Sequence, residues 1–367
     1  MKKKKNVSKI GMITTIVICI FLLVVLIVSI TYDDALHTNM PQIEQPIVET
    51  YKYDKLNIDK SKLNIFYFYV GTADSIIILL EDNVMLIDAA NRGDGDNIVQ
   101  FLKAQNITKI DYLIGTHVDN DHIGGMYKII NNIYVQNLYI PKYENNDRTA
   151  YNNIKMSIGN NKNADLRLDS LKKDETITFG EATFKVLSAQ TMEDIEYNIN
   201  KINDTSTVLQ LNYKNKKYLF TGDMQEKLEE KLLEQSGNNN LEKIDVLKVS
   251  HHAANNGTSD AFLKRVMPEY AIISSGSKDN AHPNIECIKR LLSGDEGVAP
   301  ENIYITERDG TIWQISDGES EDLFIKMHDI NLDGNGSNIN SGELNIEYLE
   351  SIRDKYAFFL PKLLKKV

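Results

Sequence analysis

Thr116-His117-Val118-Asp119-Asn120-Asp121-His122-Ile123-Gly124-Gly125 is the stretch that decides how this 367-residue chain reads. It follows the apolar run Tyr112-Leu113-Ile114, so four side chains able to bind a metal fall within six residues at a strand end: His117, Asp119, Asp121 and His122. A loop there can fold them toward one point, and Gly124-Gly125 lets the backbone turn closely behind them. Imidazole and carboxylate together suit zinc, manganese or iron better than calcium or magnesium. A lone histidine in a strand is ordinarily a core or surface residue, but an ordinary polar loop does not gather four such side chains at this spacing.

Other candidate ligands also stand directly after apolar runs. Asp88 follows Met85-Leu86-Ile87, and Asp223 closes Leu219-Phe220-Thr221-Gly222-Asp223. His251 and His252 come after residues 246–250, and His282 precedes Pro283 in a loop. The runs 63–70, 75–80 and 84–89 are separated by connections of hairpin length, which predicts antiparallel neighbours. Residues 96–105 carry Ile98, Phe101 and Leu102 on one helical face. Further strands are expected at 111–115, 135–140, 176–186, 207–213, 217–221, 246–250 and 311–315, with a helix over 225–235. Sheets with helices between the strands imply a layered α/β architecture. Residues 143–173, rich in Asn, Asp and Lys, read as a surface insertion.

In order and spacing these motifs resemble the metallo-β-lactamase fold, and most closely the hydrolase domain of competence DNA-uptake proteins of the ComEC type and its free-standing relatives. The resemblance covers residues 60–327. Phe68-Tyr69-Val70-Gly71-Thr72-Ala73-Asp74-Ser75 is similar to the opening strand and turn of that group, and Leu86-Ile87-Asp88-Ala89 to its first motif. His117, Asp119, Asp121 and His122 match the second. Asn203-Asp204-Thr205-Ser206 resembles the third, Thr221-Gly222-Asp223 the fourth, residues 247–252 the fifth, and Ala281-His282-Pro283 a later Gly-His-Pro. The resemblance implies an αββα sandwich holding two divalent ions, zinc or alternatively manganese. His117 and Asp119 belong to the first position, where Asp119 replaces a histidine and Asn203 stands where many members have another. Asp121, His122, Asp223 and one of His251 or His252 belong to the second, with Asp223 bridging. Because successive strand residues face opposite ways, His251 is expected to be the ligand. His252, Asp88 and Asn203 then take supporting roles.

The implied chemistry is a metal-dependent hydrolase, in the first instance a phosphodiesterase. Asp121 orients the attacking water or accepts its proton, and His282 protonates the leaving group. The substrate expected is a phosphodiester, from a cell-envelope polymer such as a phosphorylcholine ester or from nucleic acid. Hydrolysis of another ester or a lactone, and a non-catalytic binding protein that kept the fold, are the alternatives.

Two cysteines, Cys19 and Cys287, exclude a disulfide scaffold. Lys plus Arg number 41 against 52 Asp plus Glu, a net charge of −11. The lysines at 2, 3, 4, 5 and 9 supply +5 of it, leaving about −16 for residues 32–367. No broad basic face is then available, and a polyanion must be held by bound metal and a local patch. Residues 10–31 are uncharged and apolar, and as a helix would span about 33 Å, the thickness of a bilayer core. The expected layout is a basic cytoplasmic tail (1–9), a membrane-spanning signal anchor (10–31), a stalk (32–58), the catalytic domain outside the cytoplasm (59–327) and an appendage (328–367). Within the appendage, Asp329-Ile330-Asn331-Leu332-Asp333-Gly334-Asn335-Gly336 resembles the start of a calcium loop. Its twelfth position is Asn340 rather than Glu, which favours a plain Asn/Gly linker. Residues 344–364 have helical spacing and a basic end.

Overall fold

Runs such as Ile76-Ile77-Ile78-Leu79-Leu80 carry no polar face, so the sheet they form must be covered on both sides. All five residues of this strand are buried, as are all five of Leu63–Tyr67. The computed structural model describes residues 52–143, 147–189, 199–235, 241–276, 281–293, 297–320, 324–328 and 330–333. The basic tail, the signal anchor and residues 32–51 of the stalk lie outside these residues. So do 334–367, with most of the calcium-loop candidate and the final helix. Among the described residues no helix is long and apolar enough to cross a membrane.

The strands are β1 (Leu63–Tyr67), β2 (Ile76–Leu80), β3 (Asn83–Ile87), β4 (Lys109–Ile114), β5 (Tyr134–Tyr139), β6 (Leu168–Asp169), β7 (Thr176–Phe179) and β8 (Ala182–Ser188). They continue with β9 (Val208–Tyr213), β10 (Lys216–Phe220), β11 (Val246–Lys248), β12 (Tyr270–Ile273), β13 (Ile303–Ile305), β14 (Thr311–Ser316) and β15 (Phe324–His328). One sheet has the order β15-β14-β1-β2-β3-β4-β5-β6 and the other β13-β12-β11-β10-β9-β8-β7. The expected antiparallel pairing of the first three strands is present, with Ile65 opposite Ile78 and Ile76 opposite Ile87. Side chains alternate between two cores. Ile65, Tyr67, Ile78 and Ile87 join Phe184 and Phe220 between the sheets. Phe66, Phe68 and Ile77 face outward beneath the helix Gly95–Ala104, where Ile98, Phe101 and Leu102 cover them. A third core lies under the helices Glu226–Gln235, Asp260–Val266 and Ile285–Leu292 on the far face of the second sheet. Helix, sheet, sheet and helix layers follow one another, as the αββα expectation required.

The two sheets share a plan. An antiparallel pair leads into parallel strands, β2-β3 then β4 in one sheet and β9-β10 then β11 in the other. Asp88 and Asp223 end the equivalent strands β3 and β10, while the His117–His122 loop and the His251-His252 pair follow the equivalent strands β4 and β11.

Three expectations are revised. The segment 143–173 is more than a surface insertion: it contains the helix Thr149–Ser157, and Tyr143, Ala150, Tyr151, Ile154 and Leu166 are buried in the outer core. Its many Asn and Lys residues conceal an apolar stripe. The domain also begins before residue 59, because Tyr53, Leu56 and Ile58 pack on that core and Tyr53 Oη donates to the Asn331 carbonyl. It ends after 327, since β15 pairs with β14, Asn331 bridges Tyr69 and Leu332 is fully buried.

Cys287 lies on the buried face of the helix Ile285–Leu292, and burial pushes its thiol up to about 12. At pH 8 the folded protein is therefore expected to leave Cys287 unmodified by iodoacetamide, with full labelling in guanidinium, read by peptide mass mapping. Rapid native labelling would contradict this packing.

Candidate metal centre

Asp88 organises the ligand loop. It leaves β3 in a left-handed conformation (φ 58°), and its amide bonds to the Ile114 carbonyl at 2.8 Å. One carboxylate oxygen accepts from the Thr116 amide at 2.8 Å; the other accepts from the Thr116 hydroxyl at 2.8 Å and faces His122 Nδ1 at 2.8 Å. Such a contact sets the ring's orientation and tautomer, leaving Nε2 for another partner. The single helical turn Asn120–Ile123 follows, tied by the Ala89 amide to the His122 carbonyl at 2.6 Å. Gly125 permits this approach: a Cβ there would overlap the Ala89 carbonyl and lie 2.9 Å from Gly95 Cα.

Asp223 enters from the other sheet. Gly222 turns β10 with φ 52°, a conformation that favours glycine, and the Asp223 amide donates to Ser206 Oγ at 3.1 Å. The carboxylate is buried with an imidazole nitrogen near each oxygen on either side. Oδ1 lies 3.1 Å from His122 Nε2 and 3.7 Å from His252 Nε2. Oδ2 lies 3.8 Å from both His117 Nε2 and His251 Nε2. The Asp121 carboxylate, 35% exposed, is 3.4 Å from His252 Nε2.

The histidine pair corrects the sequence expectation. Potential ligand atoms of Asp121, His122, Asp223 and His252 lie within 4.8 Å of one another, and His251 is not in this cluster. Strand alternation does not apply to the pair, because β11 ends at Lys248 and both histidines adopt left-handed conformations, φ 48° and φ 52°. His252 Nδ1 lies 3.0 Å from the Ser274 carbonyl, which turns Nε2 into the cluster. His251 instead sits between Asn203 Nδ2 at 3.2 Å and Asn256 Oδ1 at 3.1 Å. Its ring centroid is 5.7 Å from that of His282, which lies 6.1 Å from the His252 ring, so His282 stands at the rim of the site.

His122 Nε2, His252 Nε2 and Asp223 Oδ1 are buried and lack hydrogen-bond partners among the described residues. Unsatisfied buried polar atoms converging on one point, two nitrogens and one carboxylate oxygen, with the Asp121 carboxylate beside them, are a donor set that a transition-metal ion satisfies. A second acidic group, Asp74, Asp88 and His122, reads differently: Asp88 is saturated by Thr116 and His122, and Asp74 is paired elsewhere. It supports the first cluster. His117 and Asp119 lie on the opposite side of Asp223, with His117 Nε2 3.6 Å from Asp119 Oδ2, completing a candidate two-metal arrangement.

Burial opposes ionisation throughout; the charges outweigh it at His122, Asp223 and Asp121, whereas burial prevails at His251 and holds its imidazole below the usual range. Despite full desolvation, Asp223, Asp88 and Asp121 hold the His122 imidazole well above its usual range. Against the same desolvation, His122 and His252 hold Asp223 well below the usual carboxylate range. Asp121 is likewise lowered, with His122 overcoming its burial. The centre sets lowered carboxylates against the raised imidazoles of His122 and His252, and a bound cation would balance the same carboxylates.

Two contributors were not read from the sequence. Lys248, fully buried on β11, pairs with Asp74 Oδ2 at 2.8 Å, and the Asp74 amide bonds to the Asp121 carbonyl at 3.1 Å. The signal was a lysine inside the apolar run Val246-Leu247-Lys248-Val249. Arg148, at the start of the 149–157 helix, places Nη1 3.0 Å from Asp119 Oδ1, and no local pattern marked it. Asp74→Asn leaves the Lys248 charge buried and unpaired, so a loss of about 3–5 kcal/mol is expected in urea unfolding. A loss below about 1 kcal/mol would show that the pair does not hold the two sheets together here.

The sequence profile described as the Metallo-beta-lactamase superfamily matches residues 69–277. ComE operon protein 3 of Bacillus subtilis (strain 168) is 26% identical over 215 residues, covering 59% of this chain and 26% of its own length. Competence protein ComA of Neisseria gonorrhoeae is 27% identical over 209 residues, covering 56% and 26%. The chain thus spans about a quarter of the length of these ComEC-type relatives. A solved structure described as a new diphosphatase from the PhnP family has a TM-score of 0.40 at 15% identity, covering 67% of this chain and 96% of that one. The profile spans more than half of the chain, including every strand end that carries a ligand of the four-residue cluster, and the chain belongs to the metallo-β-lactamase superfamily.

Proposed function

We propose that this protein is a membrane-anchored, metal-dependent phosphodiesterase whose ion is held by Asp121, His122, Asp223 and His252. The observation that carries the reading is the convergence of these four side chains with three buried ligand atoms that lack hydrogen-bond partners. A divalent ion there, zinc or manganese by its donor set, supplies Lewis acidity and a water whose pKa falls toward neutrality. The chain's own groups do the rest. Asp88 and the Ser274 carbonyl fix the two imidazoles, so little reorganisation is needed on binding. Asp121, ionised and facing the mouth, accepts the proton of the attacking water. His282, at the rim beside His251 and His252, donates to the leaving-group oxygen.

The likeness to competence and recombination proteins supports a phosphodiester over a lactam or lactone. The charge of about −16 over residues 32–367 supports a phosphorylcholine ester of an envelope polymer over nucleic acid. The apolar run 10–31, preceded by lysines, supports anchoring with the domain outside the cytoplasm.

Purified protein supplied with zinc or manganese is expected to hydrolyse bis(p-nitrophenyl) phosphate. Asp121→Ala and Asp223→Ala should each lower kcat by about 10³-fold or more, and Asp88→Asn by about 10–100-fold through the His122 ring it orients. Absence of both bound ion and turnover would overturn the hydrolase reading in favour of a binding protein. Turnover of a lactone alone would keep the centre and discard the substrate class. Protease treatment of intact cells should digest the domain; digestion only after lysis would reverse the orientation.

A further inference from the structure

The two sides of Asp223 are not alike. On one, His122 Nε2, His252 Nε2 and Asp223 Oδ1 are buried without hydrogen-bond partners among the described residues. On the other, an arginine and two asparagines approach the groups an ion would need. Asp119 Oδ1 is paired with the Arg148 guanidinium at 3.0 Å, and Asp119 Oδ2 lies 3.6 Å from His117 Nε2. His251 Nδ1 faces the Asn256 carbonyl oxygen, so this nitrogen carries the hydrogen and the lone pair of Nε2 accepts from the Asn203 amide. Among the described residues His117 Nε2 and Asp119 Oδ1 have no hydrogen-bond partner there, and Asp119 Oδ1 is held by its ion pair with Arg148. The compact four-residue cluster accordingly includes neither His117, Asp119 nor His251.

Resting on the reading of the cluster as a metal centre, we infer that Arg148 takes the place of a second ion, making this a centre of one ion and one guanidinium. Three features of the chain then have one cause. Asp119 in place of a histidine provides a carboxylate that a guanidinium recognises. Asn203 in place of another histidine satisfies His251 instead of adding a ligand. The segment 143–173 delivers the arginine, anchored by Tyr151 and Ile154 in the outer core. An ion entering beside His117 must share the Asp119 carboxylate with Arg148 and bring a divalent charge against that cation, whereas the His122 and His252 side has no arginine or lysine paired to Asp121 or Asp223 among the contacts of the described residues.

The test is metal stoichiometry, measured on full-length protein stripped with chelator, titrated with manganese or zinc by calorimetry and assayed for retained metal after gel filtration. The wild type should retain one ion per chain, and any second ion should bind far more weakly. Arg148→Ala and Arg148→Gln should tighten that second event on the order of tenfold, while Arg148→Lys should keep the one-ion behaviour. Two variants of different size, each checked by urea midpoint, separate a charge effect from loss of packing. Two tightly bound ions in the wild type, or a second event unmoved in both neutral variants, would overturn the inference and leave the hydrolase reading standing. No ion in wild type or variants would overturn the metal centre itself, a distinguishable result.

Discussion

A carboxylate buried between two sheets is the constraint on which the rest of this structure depends. Asp223 is almost wholly removed from water, and an isolated charge in that position costs many kilocalories per mole. It is tolerated because imidazoles approach it, His122 and His252 at one oxygen and His117 at the other. They come from loops after β4 and β11, on different sheets, so the arrangement exists only when the two sheets are packed face to face. The unusual backbone follows from the same need: Asp88, Gly222, His251 and His252 are all left-handed at strand ends, where a regular strand would carry the side chain past the site.

A ring of groups that do not bind the ion makes the centre rigid. Asp88 receives two hydrogen bonds from Thr116 and faces His122, which leaves it saturated and therefore a support. Lys248 and Asp74 form a buried pair linking β11 to the turn after β1, and the Asp74 amide is tied to Asp121. A buried pair of this kind adds little net stability compared with an apolar pair of equal volume, but it is intolerant of losing either member. Its effect here is on register: the turn that holds Asp121 is fixed relative to the strand that leads to His252.

Kinship with ComEC-type proteins covers the metallo-β-lactamase part of the chain. The two sides of Asp223 differ in what surrounds them: the Arg148 guanidinium stands against Asp119 and the Asn203 amide against His251, while Asp121, His122 and His252 converge on the other side.

The sequence by itself determined the layers and most of the site. Unbroken apolar runs such as Ile76–Leu80 can only be strands covered on both faces, and Asp or His directly after such runs must cluster at one end of a sheet. His117, Asp119, Asp121, His122 and Asp223 were legible for that reason, because spacing along a strand and its exit loop is a local property. Tertiary structure alone decided the choice between His251 and His252, which depends on left-handed turns and on the Ser274 carbonyl twenty-two residues away. It alone decided the Lys248–Asp74 pair and the approach of Arg148 to Asp119, and it moved the domain's edges to include Tyr53 and Leu332. Each of these joins residues distant in the chain, and a contact of that kind leaves no period or spacing in the sequence, because it is set by how the layers pack and which buried charge needs a partner.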